Sequence, residues 1–372
     1  MAQMYLWQDE QWPAMSFDNA ELAPLLAEVN ALRGRLAGAM MMCGLREKCD
    51  SMLSAMTLEV SGSAEIEGER LNRDSVRSSI ARQLGLDHAG LPVPDHYTEG
   101  VVQVMLDATH NFRQELSPQR LFGWHAALFP TGYSGMYRIT VGAWRTGSEA
   151  MQVVSGAMGK ERVHFEAPPS EAVEDMMSDF LQWVNDESNG IDPIVRAAVA
   201  HLWFVTIHPF DDGNGRIGRT ITEWLLARAD GSPQRFYSLS AEILNHRNDY
   251  YRHLEKAQKG SPRVTEWVLW FLSALRQALL SAIATTTRIS LKMRFWDANR
   301  NTQLNDRQRK VINRLLDGFE GNLTSSKWYK INHCSQDTAS RDINGLIAKG
   351  ILQRAPGCAG RSTHYQLCLP SV

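Results

Sequence analysis

The twelve residues His208-Pro209-Phe210-Asp211-Asp212-Gly213-Asn214-Gly215-Arg216-Ile217-Gly218-Arg219 constrain this chain more than any other stretch. They bring together a histidine, two carboxylates, a glycine-rich turn and two arginines. Upstream, Asp192-Pro193 reads as a helix start, a capping side chain followed by proline at the first helical position. Ile194 to Ile207 carries apolar residues at helical spacing, so His208 falls at or just past that helix's C-terminus. Ile217 to Ala229 reads as a second helix, with Ile221, Trp224, Leu225 and Ala229 in its apolar pattern. The turn at Gly213, Asn214 and Gly215 then opens onto a helix N-terminus, where free N–H groups and the helix dipole favour an anion. Arg216 and Arg219, three apart, share one face of that helix close to any such anion. The arrangement suits a polyphosphate.

With every defined position filled, HPFDDGNGRIGR resembles the signature of the Fic family, His-Pro-Phe-x-(Asp/Glu)-Gly-Asn-Gly-Arg-x-x-Arg. Proteins of that family mostly transfer AMP from ATP to a hydroxyl side chain of another protein. The resemblance implies a mainly α fold: a Fic helical core with a β-hairpin flap, preceded here by a helical extension and followed by a winged-helix domain. The boundaries expected are 1–90 for the N-terminal region, with an inhibitory helix near 61–70, then 91–285 for the catalytic domain and 300–372 for the winged helix.

Composition is that of a globular chain in the soluble class, without low-complexity segments. No apolar run is expected to reach the length of a membrane span, and the N-terminus lacks the pattern of a signal peptide. Cys43, Cys49, Cys334, Cys358 and Cys368 are odd in number and show no paired metal spacing, so they read as reduced thiols of a cytoplasmic protein. Charge is uneven: from Arg288 onward fourteen Lys/Arg stand against six Asp/Glu, on a chain whose net charge is −2. A basic tail on an acidic body hints at a nucleic-acid surface.

Trp7, Trp12 and Pro13 open the chain, and from Asp18 a helical stripe runs through Leu22, Leu25, Leu26, Val29, Leu32, Leu36 and Met40. The tryptophans read as anchors for that helix. The Trp-Gln and Trp-Pro opening also resembles a small domain often found ahead of bacterial Fic domains. Ser63 and Glu67 are four apart, so on a helix they share a face, and Gly68 follows as a stop or close-approach position. This segment is similar to the family's inhibitory motif, (Ser/Thr)-x-x-x-Glu-(Gly/Asn). The resemblance implies that Glu67 pairs with Arg219 and obstructs placement of the ATP γ-phosphate. Glu65 and Glu69 lack that context and serve as controls, expected to be without effect.

Residues 74–87 and 98–128 read as further helices, broken apart by Pro92 and Pro94. Short alternating runs at 152–154 and 162–165 suit a β-hairpin. The resemblance implies a flap there, near residues 160–167, that aligns a target by strand addition; His164 on it reads as solvent-facing. A helix at 240–259 resembles the family's adenine-side helix, with Tyr250, Tyr251 and Gln258 as nucleotide walls; Gln258 stands where some members have Asn. Another helix is read over Thr265 to about Leu280.

Three short helical patterns at 305–316, 325–331 and 336–349 are followed by strand, turn and strand at 350–352, 356–360 and 363–367. That is the winged-helix order, and the third helix, with Gln336, Thr338, Ser340 and Arg341, looks like its recognition helix. Arg354 and Arg361 flank the wing. Such a module contacts DNA or protein, and self-association as a homodimer stays open.

The resemblance implies that a Ser, Thr or Tyr hydroxyl of a protein, including this chain itself, attacks the α-phosphorus of ATP. His208 is then the general base, and Asp212 the Mg²⁺ ligand. Asp211 is solvated and Phe210 is a buried anchor. Gly213, Asn214, Gly215, Arg216, Ile217, Gly218 and Arg219 hold the phosphates. Two other readings remain: a DNA-binding regulator whose Fic domain senses nucleotide, and a phosphotransferring or deAMPylating variant of the same fold.

Overall fold

The computed structural model describes residues 5–87, 90–148, 150–155, 162–357 and 363–369. The chain packs as two units, Met1–Ala282 and Ile283–Val372. The expected N-terminal region and the catalytic region therefore share one unit.

Two helices open it, α1 (Asn19–Met42), capped by the Asp18 side chain, and α2 (Leu45–Ile66). The opening tryptophans serve a different purpose from anchoring α1. Trp7 donates to the Glu166 carbonyl at 2.8 Å, and Trp12 packs edge-on against Trp203. Glu59 on α2 accepts from the Ser238 hydroxyl and the Ser240 N–H at 2.8 and 2.9 Å, which seats the helix on the segment that follows the second motif helix. The end of α2 is set by Gly68 at φ 87°. Gly68 N–H reaches the Glu65 carbonyl and Glu69 N–H reaches the Ala64 carbonyl, the paired bonds of a Schellman stop. Glu67 is thereby held at the helix end.

After α3 (Arg73–Gln83), the segment expected as helix over 98–128 is two helices, α4 (His96–His110) and α5 (Pro118–Leu128). Ser117 caps α5 and Pro118 takes its first turn, a start signal that divides the stretch. A short hairpin, β1 (Tyr133–Ser134) with β2 (Tyr137–Arg138), precedes the longer one of β3 (Gln152–Ser155) and β4 (Arg162–Glu166). The longer hairpin falls where the alternating runs placed it; Lys160 lies outside the described residues.

Helix α6 (Ser170–Asn185) buries Val173, Met177, Phe180, Leu181 and Val184. Next come the central antiparallel pair, α7 (Pro193–Ile207) and α8 (Asn214–Asp230). Asp192 caps α7 as its sequence requires, accepting from Ile194 and Val195 N–H. The helix expected at 240–259 is broken at His246 into α9 (Leu239–Asn245) and α10 (Arg247–Gln258).

Helix α11 (Thr265–Ala298) runs well past the expected end near Leu280, and within it the Thr287 hydroxyl is satisfied by donating to the Ile283 carbonyl at 2.8 Å. Contrary to the expectation for apolar runs, α11 is long and apolar enough to cross a membrane by length and composition. Its Trp267, Val268, Phe271, Leu272, Leu275 and Leu279 are buried within the protein, as in a core helix.

The second unit continues with α12 (Asp306–Leu316), α13 (Ser325–Asn332) and α14 (Gln336–Ala348), then β5 (Leu352–Arg354) and β6 (Tyr365–Leu367). The first strand begins two residues later than expected, because Gly350 at φ 69° closes α14. Leu323 bridges to Tyr365 and adds a third short strand segment. Val311, Trp328, Ile343 and Leu352 form this unit's core with Phe295 of α11. The turn at 358–362, with Arg361, lies outside the described residues.

Candidate active site

The site is built where α7 ends and α8 begins. His208 terminates α7 in the left-handed region, φ 53° and ψ 58°, a conformation a non-glycine residue holds only when its surroundings enforce it. Arg145 supplies that enforcement. Its Nε donates to the His208 carbonyl at 2.8 Å, another of its guanidinium nitrogens donates to the Pro168 carbonyl, and its backbone N–H donates to Pro209 at 2.9 Å. Gly213, at φ 81°, then turns the chain into α8.

Between them, Asn214 fixes the loop. Its side-chain oxygen accepts from Phe210 N–H at 2.9 Å and its amide donates to the Phe210 carbonyl at 2.8 Å. The Asn214 side chain, expected at the phosphates, is committed to the loop instead. Phe210 is buried as expected, with His125 stacked on it at 4.2 Å.

The His208 ring Nδ1 lies 3.2 Å from the Val205 carbonyl. A carbonyl only accepts, so Nδ1 carries the proton and Nε2 keeps its lone pair. Burial pushes the His208 pKa down to about 4, against a smaller opposing effect of the Val205 bond, so the ring is neutral at pH 7. His125 is a second histidine at this turn. Both its nitrogens are engaged, Nε2 with the Asp212 carbonyl at 3.1 Å and Nδ1 with Gly142 N–H at 3.3 Å, which leaves no free lone pair for a base.

His208 lines a cavity of about 720 Å³ together with Glu67, Gly215, Val153, Val154, Tyr250, Tyr251 and Gln258. The predicted adenine-side residues thus reach the cavity, although their polar atoms are largely engaged in the fold. Tyr250 is buried, with its hydroxyl 3.0 Å from His201 Nε2. The Tyr251 hydroxyl donates to the Ile66 carbonyl at 3.1 Å, and Gln258 donates to Val205 at 3.2 Å. His164 also lines the cavity and pairs with Glu255 of α10 at 2.8 Å, so it is not the solvent-facing residue expected.

Ile217 and Gly218 do not sit among the described lining residues. Ile217 is in the core, and a Cβ on Gly218 would come within 2.9 Å of Val205, so these two let α8 pack on α7.

The two arginines share a helix face but go to different partners. Arg219, 2% exposed, donates from Nε to the Ser63 hydroxyl at 2.9 Å and from Nη2 to the Ser63 carbonyl at 2.9 Å and Glu67 Oε1 at 2.7 Å. The Glu67 carboxylate rests against Gly215 in the first turn of α8; a Cβ there would lie 2.1 Å from Oε1. It therefore occupies the place where the helix N-terminus invites an anion. Arg219 Nη1 is buried without a hydrogen-bond partner.

Arg216, 4% exposed, lies over the Phe129 ring at 4.8 Å and donates to Glu69 at 3.0 and 3.1 Å and to the Tyr97 hydroxyl at 2.8 Å. Glu69, expected as a control without effect, thus contacts the other motif arginine. No local signal announces this partnership, because Glu69 and Arg216 are 147 positions apart.

The two carboxylates of the loop differ. Asp211 accepts from Thr140 N–H at 2.8 Å, which ties the loop to the segment after β2 rather than leaving it solvated. Asp212, its side chain 44% exposed, accepts from the Ser134 hydroxyl and from Gly213 N–H, and lies 3.9 Å from Arg216 Nη2. Among the described residues, no group of three or more His, Cys, Asp and Glu side chains is placed to hold a metal by itself.

Residues 115–226 match the Fic/DOC family, and residues 5–86 match a domain of unknown function, DUF4172. A stretch of 119 residues is 36% identical to protein adenylyltransferase fic-1 of Caenorhabditis elegans, covering 32% of this chain and 22% of that protein. Another of 89 residues is 39% identical to protein adenylyltransferase Fic of Culex quinquefasciatus, covering 24% and 17%. The matched part spans about a fifth of the length of these relatives. In fold, the chain is similar to a Fic family protein from Desulfovibrio desulfuricans G20, with a TM-score of 0.54 at 23% identity over 93% of this chain and 95% of that one. It is also similar to C. elegans Fic-1, with a TM-score of 0.51 at 24% identity over 72% and 74%.

Proposed function

The chain carries a Fic domain over residues 115–226, and from that premise we propose that it transfers AMP from ATP to a protein hydroxyl, itself included, under restraint by Glu67. The observation that carries this reading is the neutral His208, with Nδ1 committed to Val205 and Nε2 free, beside the first turn of α8 in one cavity. The hydroxyl oxygen of the target attacks the α-phosphorus and its proton passes to His208 Nε2. The bond between the α-phosphorus and the bridging oxygen breaks, and pyrophosphate leaves. N–H groups at the start of α8, with Arg216 and Arg219, stabilise the phosphate charge.

Asp212 fits a Mg²⁺ site of the kind completed by substrate: a half-exposed carboxylate beside the anion turn, the donor a hard cation takes along with phosphate oxygens. Bound there, the ion would neutralise charge on the departing pyrophosphate. The hairpin of β3 and β4, whose Val153, Val154 and Phe165 border the cavity, would carry the target's backbone alongside. The second unit reads as a winged helix, supported by its three helices, two paired strands and the Leu323–Tyr365 bridge. The four described cysteines are free thiols, which agrees with a reducing, cytoplasmic setting.

Mass spectrometry of the Glu67→Gly protein after incubation with ATP and Mg²⁺ tests the reading. An added AMP on a Ser, Thr or Tyr supports it. An added phosphate would identify a phosphotransferase, and an unmodified chain would remove the transfer activity.

A further inference from the structure

The turn after α2 carries two carboxylates that reach the two motif arginines by different routes. Glu67 enters the cavity, occupies the anion position against Gly215 and consumes Nη2 of Arg219. Neither Glu69, two residues on, nor Arg216 is among the described lining residues of that cavity, which reaches α8 at the neighbouring Gly215. Glu69 takes only Nη1 of Arg216, which it shares with the Tyr97 hydroxyl at the start of α4. Tyr97 in turn donates to Glu69 Oε2, and burial holds its pKa well above 10, so the hydroxyl keeps the proton it donates. Arg216 Nη2 is left 3.9 Å from Asp212, and its Nε is buried without a partner.

We infer that Glu69 and Tyr97 are positioning residues. They hold the Arg216 guanidinium on Phe129 with its Nη2 and Nε edge free for the phosphates of ATP, so that Glu69 supports the nucleotide while Glu67 obstructs it. The inference rests on the nucleotide reading of the site. A buried guanidinium without a carboxylate is costly and free to turn away from its bound geometry. A pair that engages one nitrogen and spares the others restrains it without competing for the ligand. Glu67 does the reverse, because its carboxylate stands in the ligand's own place.

The test is calorimetric binding of ATP and of adenosine to the Glu67→Gly chain, alone and with Glu69→Gln, Glu69→Asp or Tyr97→Phe added. Because Arg216 would contact only phosphates, Glu69→Gln should weaken ATP binding about tenfold, the loss of one charge-assisted contact, and leave adenosine unchanged. Tyr97→Phe, which keeps the ring, should weaken ATP less, about threefold, because the Glu69 carboxylate still holds Arg216 Nη1 directly. Glu69→Asp should recover part of the loss. Equal weakening of ATP and adenosine would mark a merely structural contact and overturn the inference. So would unchanged or tighter ATP binding, the latter making Glu69 a second lock. Should Glu69→Gln fail to fold, as judged by its thermal transition, the Tyr97→Phe comparison decides by the same criteria. AMP transfer is not the readout, so a Glu67→Gly chain that binds ATP without transferring AMP would overturn the proposed activity and leave this inference to the binding data.

Discussion

Glu67 and Arg219 lie 152 positions apart in the chain and 2.7 Å apart in the fold. Their contact is charge-assisted, with Arg219 enclosed and the Glu67 side chain 31% exposed where it lines the cavity. Such a bond is roughly twice as strong as a neutral one. While it stands, the carboxylate rests at the anion position against Gly215, and on the proposed nucleotide reading it would repel a triphosphate tail. Removing it should cost ATP nothing and return Arg219 to the ligand.

Glu67→Gly should therefore raise self-AMPylation by about 10- to 100-fold, the range of one charge-assisted bond. Arg219→Ala should give no such gain, since the freed site then lacks its cation. Glu65→Gly should stay near the basal level, because the Glu65 carboxylate pairs with Arg73, at 3.9 Å, and not with either motif arginine among the described contacts. Intact-mass measurement of AMP incorporation under saturating ATP and Mg²⁺ checks all three. An equal gain from Glu65→Gly would reduce the Glu67 contact to a bystander.

The loop carboxylates should separate cleanly. Asp212→Asn should lower turnover by about tenfold or more and shift the Mg²⁺ requirement upward, as expected on weakening a ligand to a charge-stabilising metal. Asp211→Asn keeps an oxygen for the Thr140 N–H and should change turnover little. Rates measured across a Mg²⁺ titration distinguish the two. Equal effects would mean the metal assignment is misplaced.

Arg145 should matter for both stability and rate. Arg145→Ala leaves the His208 and Pro168 carbonyls without this donor, at about 1–3 kcal/mol for each buried group left unsatisfied. It also releases a residue held in the left-handed region, so His208 should drift out of line and the rate in folded protein should fall about 10- to 100-fold. Arg145→Lys, with a single terminal nitrogen, can replace one bond only and should fall between. Urea titration and transfer rates on the Glu67→Gly background read the two effects separately. A variant that loses stability with an unchanged rate would confine Arg145 to the scaffold.

What could be read in the sequence was what neighbouring residues settle among themselves. Asp192-Pro193 starts α7, the Gly68 stop places Glu67, and the run from His208 to Arg219 forms one turn between two helices. What could not be read was who meets whom across the fold. Arg145 comes from a loop 63 positions before the carbonyl it holds, and His164 finds Glu255 91 positions later. Periodicity carries no information about such pairs. Local patterns also misplaced ends: α11 continues through a threonine-rich stretch that reads as a weak helix former, and α9 parts from α10 at His246 without glycine or proline to announce it.

The last prediction concerns pH. Burial is the main cause that lowers the His208 pKa from 6.5 to about 4, and Arg145 lowers it further, while Glu67 raises it. In the Glu67→Gly chain the free-enzyme value should therefore be at or below about 4. The acid limb of kcat/KM reports the free enzyme's base, so the profile should stay level from pH 8 down past 6 and fall only on approach to 4. For stability the sign follows from proton counts. Between about 4 and 6.5 the unfolded chain binds a proton at His208 that the folded chain refuses, so stability rises with pH through that window and is complete above it. His201, enclosed between Thr222 and Tyr250 with its pKa lowered to about 3 by burial, adds to the same slope. Urea midpoints should drop steadily from pH 6.5 to 4, and His208→Ala should flatten part of that drop while abolishing transfer. An acid limb near 6.5, or a His208→Ala chain that still transfers AMP at full rate, would take this histidine out of the role of base.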